Sequence, residues 1–262
     1  MDAINLLIYP FLACVLLILI HVYFGIHILE RGIIFVDLSL AQFIGLGIAV
    51  SFFVGEGITE RYIFSALFAI LGASILSLSR YIARLINIEA FIGVLYIFSL
   101  SSSILILDRT PHGLEEFKAI LNGNILWVTP AEVFNTFVVY SIIGIFHFIF
   151  RKQFLSLLSE GKGNVFWEFL FFLTFAAVLV KSVQIAGILQ VFSFLVIPTL
   201  IGRLYTRNII TILTLGWLIG LLASILGMAI SYKFDLPTAP LIVASLSIVL
   251  FILLLIKSVG RQ

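Results

Sequence analysis

The sequence predicts an all-α protein, a polytopic integral membrane helical bundle of eight to nine transmembrane helices, with residues 1–262 forming a single transmembrane domain. Two observations predict this. Hydrophobic residues make up 62% of the chain and charged residues only 11%, where a soluble domain carries roughly 25% charged residues; mean hydropathy is +1.26. The apolar residues also fall into runs of the length a bilayer demands, ~20 residues per helix. The net charge of +2 is spread along the chain without a basic patch or arm, which excludes nucleic acid as a partner.

Charges, glycines and prolines cut the chain into nine apolar stretches, at about 4–26, 33–54, 62–83, 90–107, 131–150, 165–180, 184–204, 209–232 and 238–256. The first follows "MDAINLLIYP" and reads as a retained span: no Lys or Arg precedes "FLAC" to make a signal-peptide n-region, and Cys14 reads as helix filler. A single cysteine excludes an internal disulfide. The fifth stretch opens at "VTPAE", where Thr129 can cap, Pro130 takes the first helical position and Glu132 closes a capping box. The sixth and seventh are short and broken only by "VKSVQ", so eight spans or a re-entrant segment is the alternative. The last opens at the tight "FDLPTAP" turn, with Pro237 and Pro240 where no intrahelical partner is lost.

With nine spans and the N-terminus outside, ten Lys and Arg residues face the cytoplasm (Arg31, Arg80, Arg84, Arg151, Lys152, Lys162, Arg203, Arg207, Lys257 and Arg261), leaving five of the fifteen outside. The positive-inside rule favours this orientation. The longest polar-interrupted stretch on the cytoplasmic side is 151–164, "RKQFLSLLSEGKGN", whose "FLSLL" core suits a short amphipathic surface helix. By residues alone it is either a solvated loop with an interfacial anchor or a docking segment.

Catalytic motifs are missing. "GKG" at 161–163 lacks the spacing and the following Ser or Thr of a phosphate loop, and there is no H-E-x-x-H, Cys/His zinc cluster or Gly-x-Ser-x-Gly elbow. The residues therefore show no catalytic set, no cofactor motif and no ATP-binding motif of this chain's own, and it is not expected to be an enzyme. Polar residues punctuating the apolar helices carry what chemistry there is, and most of them serve to bond neighbouring helices.

Asp37 stands apart. An ionised carboxylate in hydrocarbon costs ~2.5 kcal/mol or more, so it must face protein, water or a ligand. It is either a ligand on a transport path or the buried partner of a residue such as Arg31 or His21. Five residues at ~100° each place Gln42 about 140° away from Asp37, whereas Ser39 and Gln42 share a face. A second helix must then bring other ligands, and His21, the histidine deep in the first span, is the natural candidate. A second cluster, His112 with Glu115 and Glu116, follows a Pro-Gly turn on the outer side. Imidazole plus carboxylates suits Zn²⁺, Mn²⁺ or Fe²⁺, although an ordinary charged helix start has the same composition.

Four stretches, "ERGIIFVDLSLAQFIGLGIA", "LNGNILWVTPAEV", "AGILQVFSFLVIPTLIGR" and "FDLPTAPLIVASLSIVLFIL", together resemble the membrane permeases of ABC importers for zinc, manganese and iron, the ABC-3 type. The resemblance runs from about residue 20 to 256. Its most specific piece spans Gly187, Pro198 and Arg203, followed by Gly123-Asn124, with Pro237 in the last stretch. It implies a type II ABC importer-like fold and a permease that pairs with a second copy of itself. It further implies cytoplasmic ATP-binding subunits, an extracytoplasmic metal-binding protein and a transported divalent metal ion, in the inner or plasma membrane of a prokaryote. It also gives 151–164 the role of a coupling segment on the ATPase, with Phe154, Leu155, Leu158 and Glu160 as the contact candidates. One departure stands out: the family's second-helix pattern resembles Gly-Asp-x-x-x-His, and aligning "LAQ" with its "LAH" puts Gln42 where the histidine would be. The rival from another class is a self-sufficient carrier driven by an ion gradient, for which Asp37 and His21 would form the buried relay.

Overall fold

The computed structural model describes residues 3–55, 57–158 and 164–259. All regular structure among them is helical: α1 (Ala3–Glu30), α2 (Val36–Ser51), α3 (Ile58–Ser77), α4 (Ser79–Ile82), α5 (Ile88–Leu107), α6 (Gly113–Asn122), a 3₁₀ turn (Ile125–Trp127), α7 (Pro130–Ile149), α8 (Arg151–Ser156), α9 (Val165–Tyr205), α10 (Ile209–Phe234) and α11 (Thr238–Val259). Seven of these helices are long and apolar enough to cross a membrane, and α2 is a shorter apolar helix.

The 41-residue α9 is two helices in one, because Gly187 has φ 73° and ψ 166°, a conformation essentially restricted to glycine. The break separates 22 residues (165–186) from 18 residues (188–205). At ~1.5 Å per residue these measure about 33 and 27 Å, each close to a bilayer's hydrocarbon thickness. With the division, the seven long helices and α2 amount to nine potential spans. The expected break at "VKSVQ" is corrected: residues 181–184 are helical. Lys and Gln are good helix formers, and Lys181 gains an aromatic partner, its ammonium lying 4.5 Å from the Tyr62 ring centre. A polar residue does not end a helix; a positive φ does.

Two compact units arise from this chain. One comprises the chain up to His27, Asn122–Val138 and the chain from Ile185 onward; the other comprises Ile28–Leu121 and Val139–Gln184. In the first, the loop before α7 closes on the α9 break. The Asn124 N–H donates to Ile185 O at 3.2 Å, and a Cβ on Gly123, itself at φ 62°, would lie 2.1 Å from the Ala186 carbonyl carbon. Two stretches that carry the sequence resemblance thus touch each other. The capping box forms as the sequence predicts: the Thr129 N–H donates to Glu132 Oε2 at 2.8 Å and the Glu132 N–H to Thr129 Oγ1 at 3.2 Å, with Pro130 as first residue of α7. Between α10 and α11, Asp235 adopts a left-handed conformation, φ 53°. The Ser231 hydroxyl bonds Leu236 O and Thr238 Oγ1, both at 2.6 Å, so Pro237 sits immediately ahead of α11 and costs no helical bond.

In the second unit, α2 packs against α3 and α5. Of its 16 residues, 14 are buried, so α2 does not present a face to lipid. Its low amphipathicity follows: a helix covered on all sides needs no polar stripe.

Candidate functional site

Asp37 is the second residue of α2, is fully buried, and has no hydrogen-bond partner on either carboxylate oxygen among the described residues. The five-residue turn that delivers it is held from two sides. On one, Arg31 pairs with Glu168 in the first turn of α9. On the other, the Ile34 N–H donates to Glu89 Oε1 of α5 at 2.8 Å. Gly32 takes a positive φ of 66° in this turn, and its N–H closes the turn on Leu29 O at 3.2 Å.

Arg31 is therefore engaged with Glu168, and its guanidinium also lies over the Phe172 and Phe171 rings, at 5.1 and 5.7 Å from their centres. Glu168 is completely buried. An apolar run surrounds it in sequence, and its charge is offset by an arginine that cation–π contacts also hold.

Ser39 and Gln42 are both buried in α2, on a face other than that of Asp37. His21 lies in α1, in the other unit. Its Nδ1–H donates to Leu17 O at 2.7 Å, and its Nε2, the remaining ring nitrogen, has no partner among the described residues. Among the described residues no three or more His, Cys, Asp or Glu side chains gather in a way that could hold a metal ion.

At the other end of the same unit, Glu116 is taken up by a bidentate pair with Arg61, at 3.0 and 3.1 Å. Arg61 also lies 4.6 Å from the Phe52 ring centre. His112, at φ 60°, is exposed and supplies the backbone carbonyl that begins α6; Glu115 is exposed beside it. The structure thus groups Glu116 with Arg61, not with His112.

The 151–164 segment begins with the short α8. Phe154 is fully buried: it stacks on His147 with centroids 3.9 Å apart and planes 3° apart, and meets Trp167 edge-on at 5.6 Å. His147 is fixed in turn by Nε2 bonding Thr174 Oγ1 at 2.8 Å. Leu155 is exposed and Leu158 half-buried, while Glu160 lies outside the described residues. Phe154 faces its own unit and is not on the outward side of α8.

The described helices make this a polytopic, all-helical membrane protein. The chain is a member of the ABC 3 transport family, which it matches over residues 3–257. It is 30% identical over 224 residues to an uncharacterized membrane protein of Cyanophora paradoxa, covering 81% of this chain and 72% of that one. It is 25% identical over 235 residues to the manganese transport system membrane protein MntC of Listeria monocytogenes, covering 87% and 82%. The fold is similar to that of a chain in the structure of PsaBC from Streptococcus pneumoniae in complex with Fab, with a TM-score of 0.78 and 24% identity, covering 96% of this chain and 92% of that one.

Proposed function

We propose that this chain is the membrane permease of an ATP-driven metal-ion uptake system, forming the path for a divalent cation such as Mn²⁺, Zn²⁺ or Fe²⁺. It works as a homodimer with separate ATP-binding subunits and an extracytoplasmic metal-binding protein, in a prokaryotic plasma membrane. Family membership supports the class, and relatives described as manganese transport membrane proteins support the cargo. The observation that carries the path is Asp37, a carboxylate kept out of water and lipid alike with both oxygens unpartnered among the described residues. Such a group persists in a membrane because it is used.

Asp37 supplies an anionic oxygen donor to the passing cation. His21, Ser39 and Gln42 are further candidates along the path, with Gln42 giving an amide oxygen where the family pattern that the sequence resembles would place a histidine. His112 and Glu115 are candidates for first contact with the delivered ion. Leu155 and Leu158 are candidates for contact with the ATP-binding subunit, and Glu160 belongs to the same proposed segment.

Asp37→Asn tests the reading, because it keeps shape and removes charge. In proteoliposomes holding the complex, Mn²⁺ flux per assembled complex falls about ten-fold or more, the factor that ~1.4 kcal/mol of ligand strength represents, while assembly and ATP hydrolysis persist. Normal flux per complex removes Asp37 from the path, and uptake by the chain alone under an ion gradient without ATP replaces the reading with that of a secondary carrier.

A further inference from the structure

The turn between α1 and α2 joins two things that the proposed function leaves separate: α8, where an ATP-binding subunit would dock, and Asp37, where the cation would pass. A continuous set of contacts runs between them. Phe154 of α8 stacks on His147 and meets Trp167. Phe154 also packs against Phe171, with ring centres 6.4 Å apart. Phe171 lies beneath the Arg31 guanidinium, and Arg31 pairs with Glu168, one residue on from Trp167. Arg31 is the first residue of the turn that ends at α2. From the opposite side, Glu89 of α5 holds that turn through the Ile34 N–H.

We infer that Arg31, Glu168 and Glu89 are positioning residues for Asp37, and that the Arg31–Glu168 pair transmits displacement of α8 to the start of α2. The inference rests on the proposed transport function. The first helical turn of α9 carries both Trp167, which touches α8, and Glu168, which holds Arg31, so α8 cannot be pulled without loading the pair. Glu89 acts as a fixed point: its Oε1 accepts a backbone N–H, a role that requires an acceptor and not a charge.

The test uses the complex of this chain with its ATP-binding subunit in proteoliposomes, with Mn²⁺ as the probe and Mn²⁺ moved per ATP hydrolysed as the readout. Arg31→Gln and Glu168→Gln each lower that ratio about ten-fold, the factor that one charge-assisted hydrogen bond is worth. The double variant lowers it no further, because both singles break one link. If a single variant fails to assemble, the double, which removes both opposite charges together, decides: a normal ratio overturns the inference and a lowered one supports it. Glu89→Gln keeps the acceptor and keeps the ratio normal, while Glu89→Leu lowers it; equal effects of the two overturn the positioning role of Glu89. Failure of the underlying reading looks different. In that case the unaltered complex shows no ATP-dependent Mn²⁺ uptake, or Asp37→Asn leaves flux unchanged.

Discussion

Two arginine–glutamate pairs in the same unit do different physical work. Arg31–Glu168 is enclosed, with side-chain exposures of 10% and 0%; Arg61–Glu116 is half open, at 33% and 25%. Their chemistry is the same, and the second has the better bidentate geometry. Enclosure decides the difference. In the open pair, solvent screens the attraction and replaces a lost partner, so the pair contributes little. In the enclosed pair neither charge has water to fall back on, so the loss of its partner costs each more than in the open pair. The enclosed pair sits next to the turn that delivers Asp37 and the open one next to the start of α6, so the unit is rigidly specified at one end and tolerant at the other.

The sharpest way to break this contrast is Glu168→Leu. It leaves the Arg31 cation buried over two phenylalanine rings with its acidic partner gone, and the expected cost is ~3–5 kcal/mol, seen as loss of folded protein after detergent extraction. Arg31→Leu combined with Glu168→Leu recovers part of that yield, since the two opposite charges are removed together. If Glu168→Leu alone extracts as well as the unaltered chain, the pair is hydrated and the two ends do not differ.

A comparable loss is expected from Phe154→Ala, at ~3–5 kcal/mol for a fully buried aromatic, with the neighbouring Leu155→Ala costing far less because Leu155 is exposed. Thermal unfolding of the two purified variants separates them. Equal midpoints would mean that α8 does not pack as Phe154 indicates. A docking surface at α8 and the residues just after it then rests on Leu155 and Leu158, so Leu155→Asp lowers recovery of the ATP-binding subunit without the unfolding that follows from Phe154→Ala.

Which of these features the sequence discloses depends on how far apart the partners lie. The α7 capping box is legible because Thr129 and Glu132 are three residues apart, and the number of apolar spans is legible because a bilayer sets their length. The break in α9 lies at Gly187 and not at the polar "VKSVQ" of 180–184, since a polar interruption looks like an end in sequence while only the backbone shows a positive φ. Phe154 and Leu157, both buried, are three residues apart on one face of "FLSLL", and that spacing is the signal by which the inward side of α8 could have been read. The Arg31–Glu168 pair spans 137 positions and no local pattern points to it. Glu168 offers only the hint of an acid within an apolar run. For Asp37, burial was legible from the cost of a charge in hydrocarbon, but the turn and the two glutamates that govern it were not.

The smallest effect is expected at the open end, where it separates structure from transport. Arg61→Ala removes a partner from a half-exposed pair, so stability changes by only ~0.2–1 kcal/mol, within the scatter of most extraction assays. The released Glu116 carboxylate then joins His112 and Glu115 as a third potential cation contact at the start of α6. If that end meets the delivered ion, Arg61→Ala leaves the maximal rate of uptake unchanged and lowers the Mn²⁺ concentration that gives half of it, because an added carboxylate strengthens capture of a divalent cation. His112→Ala with Glu115→Ala shifts the same concentration upward, again without changing the maximal rate. Half-saturation curves for the two variants therefore move in opposite directions from that of the unaltered complex. Curves that superimpose at every Mn²⁺ concentration return all three side chains to the role of a charged helix start, and the open pair to a contact that holds α3 near α6 and does nothing for the ion.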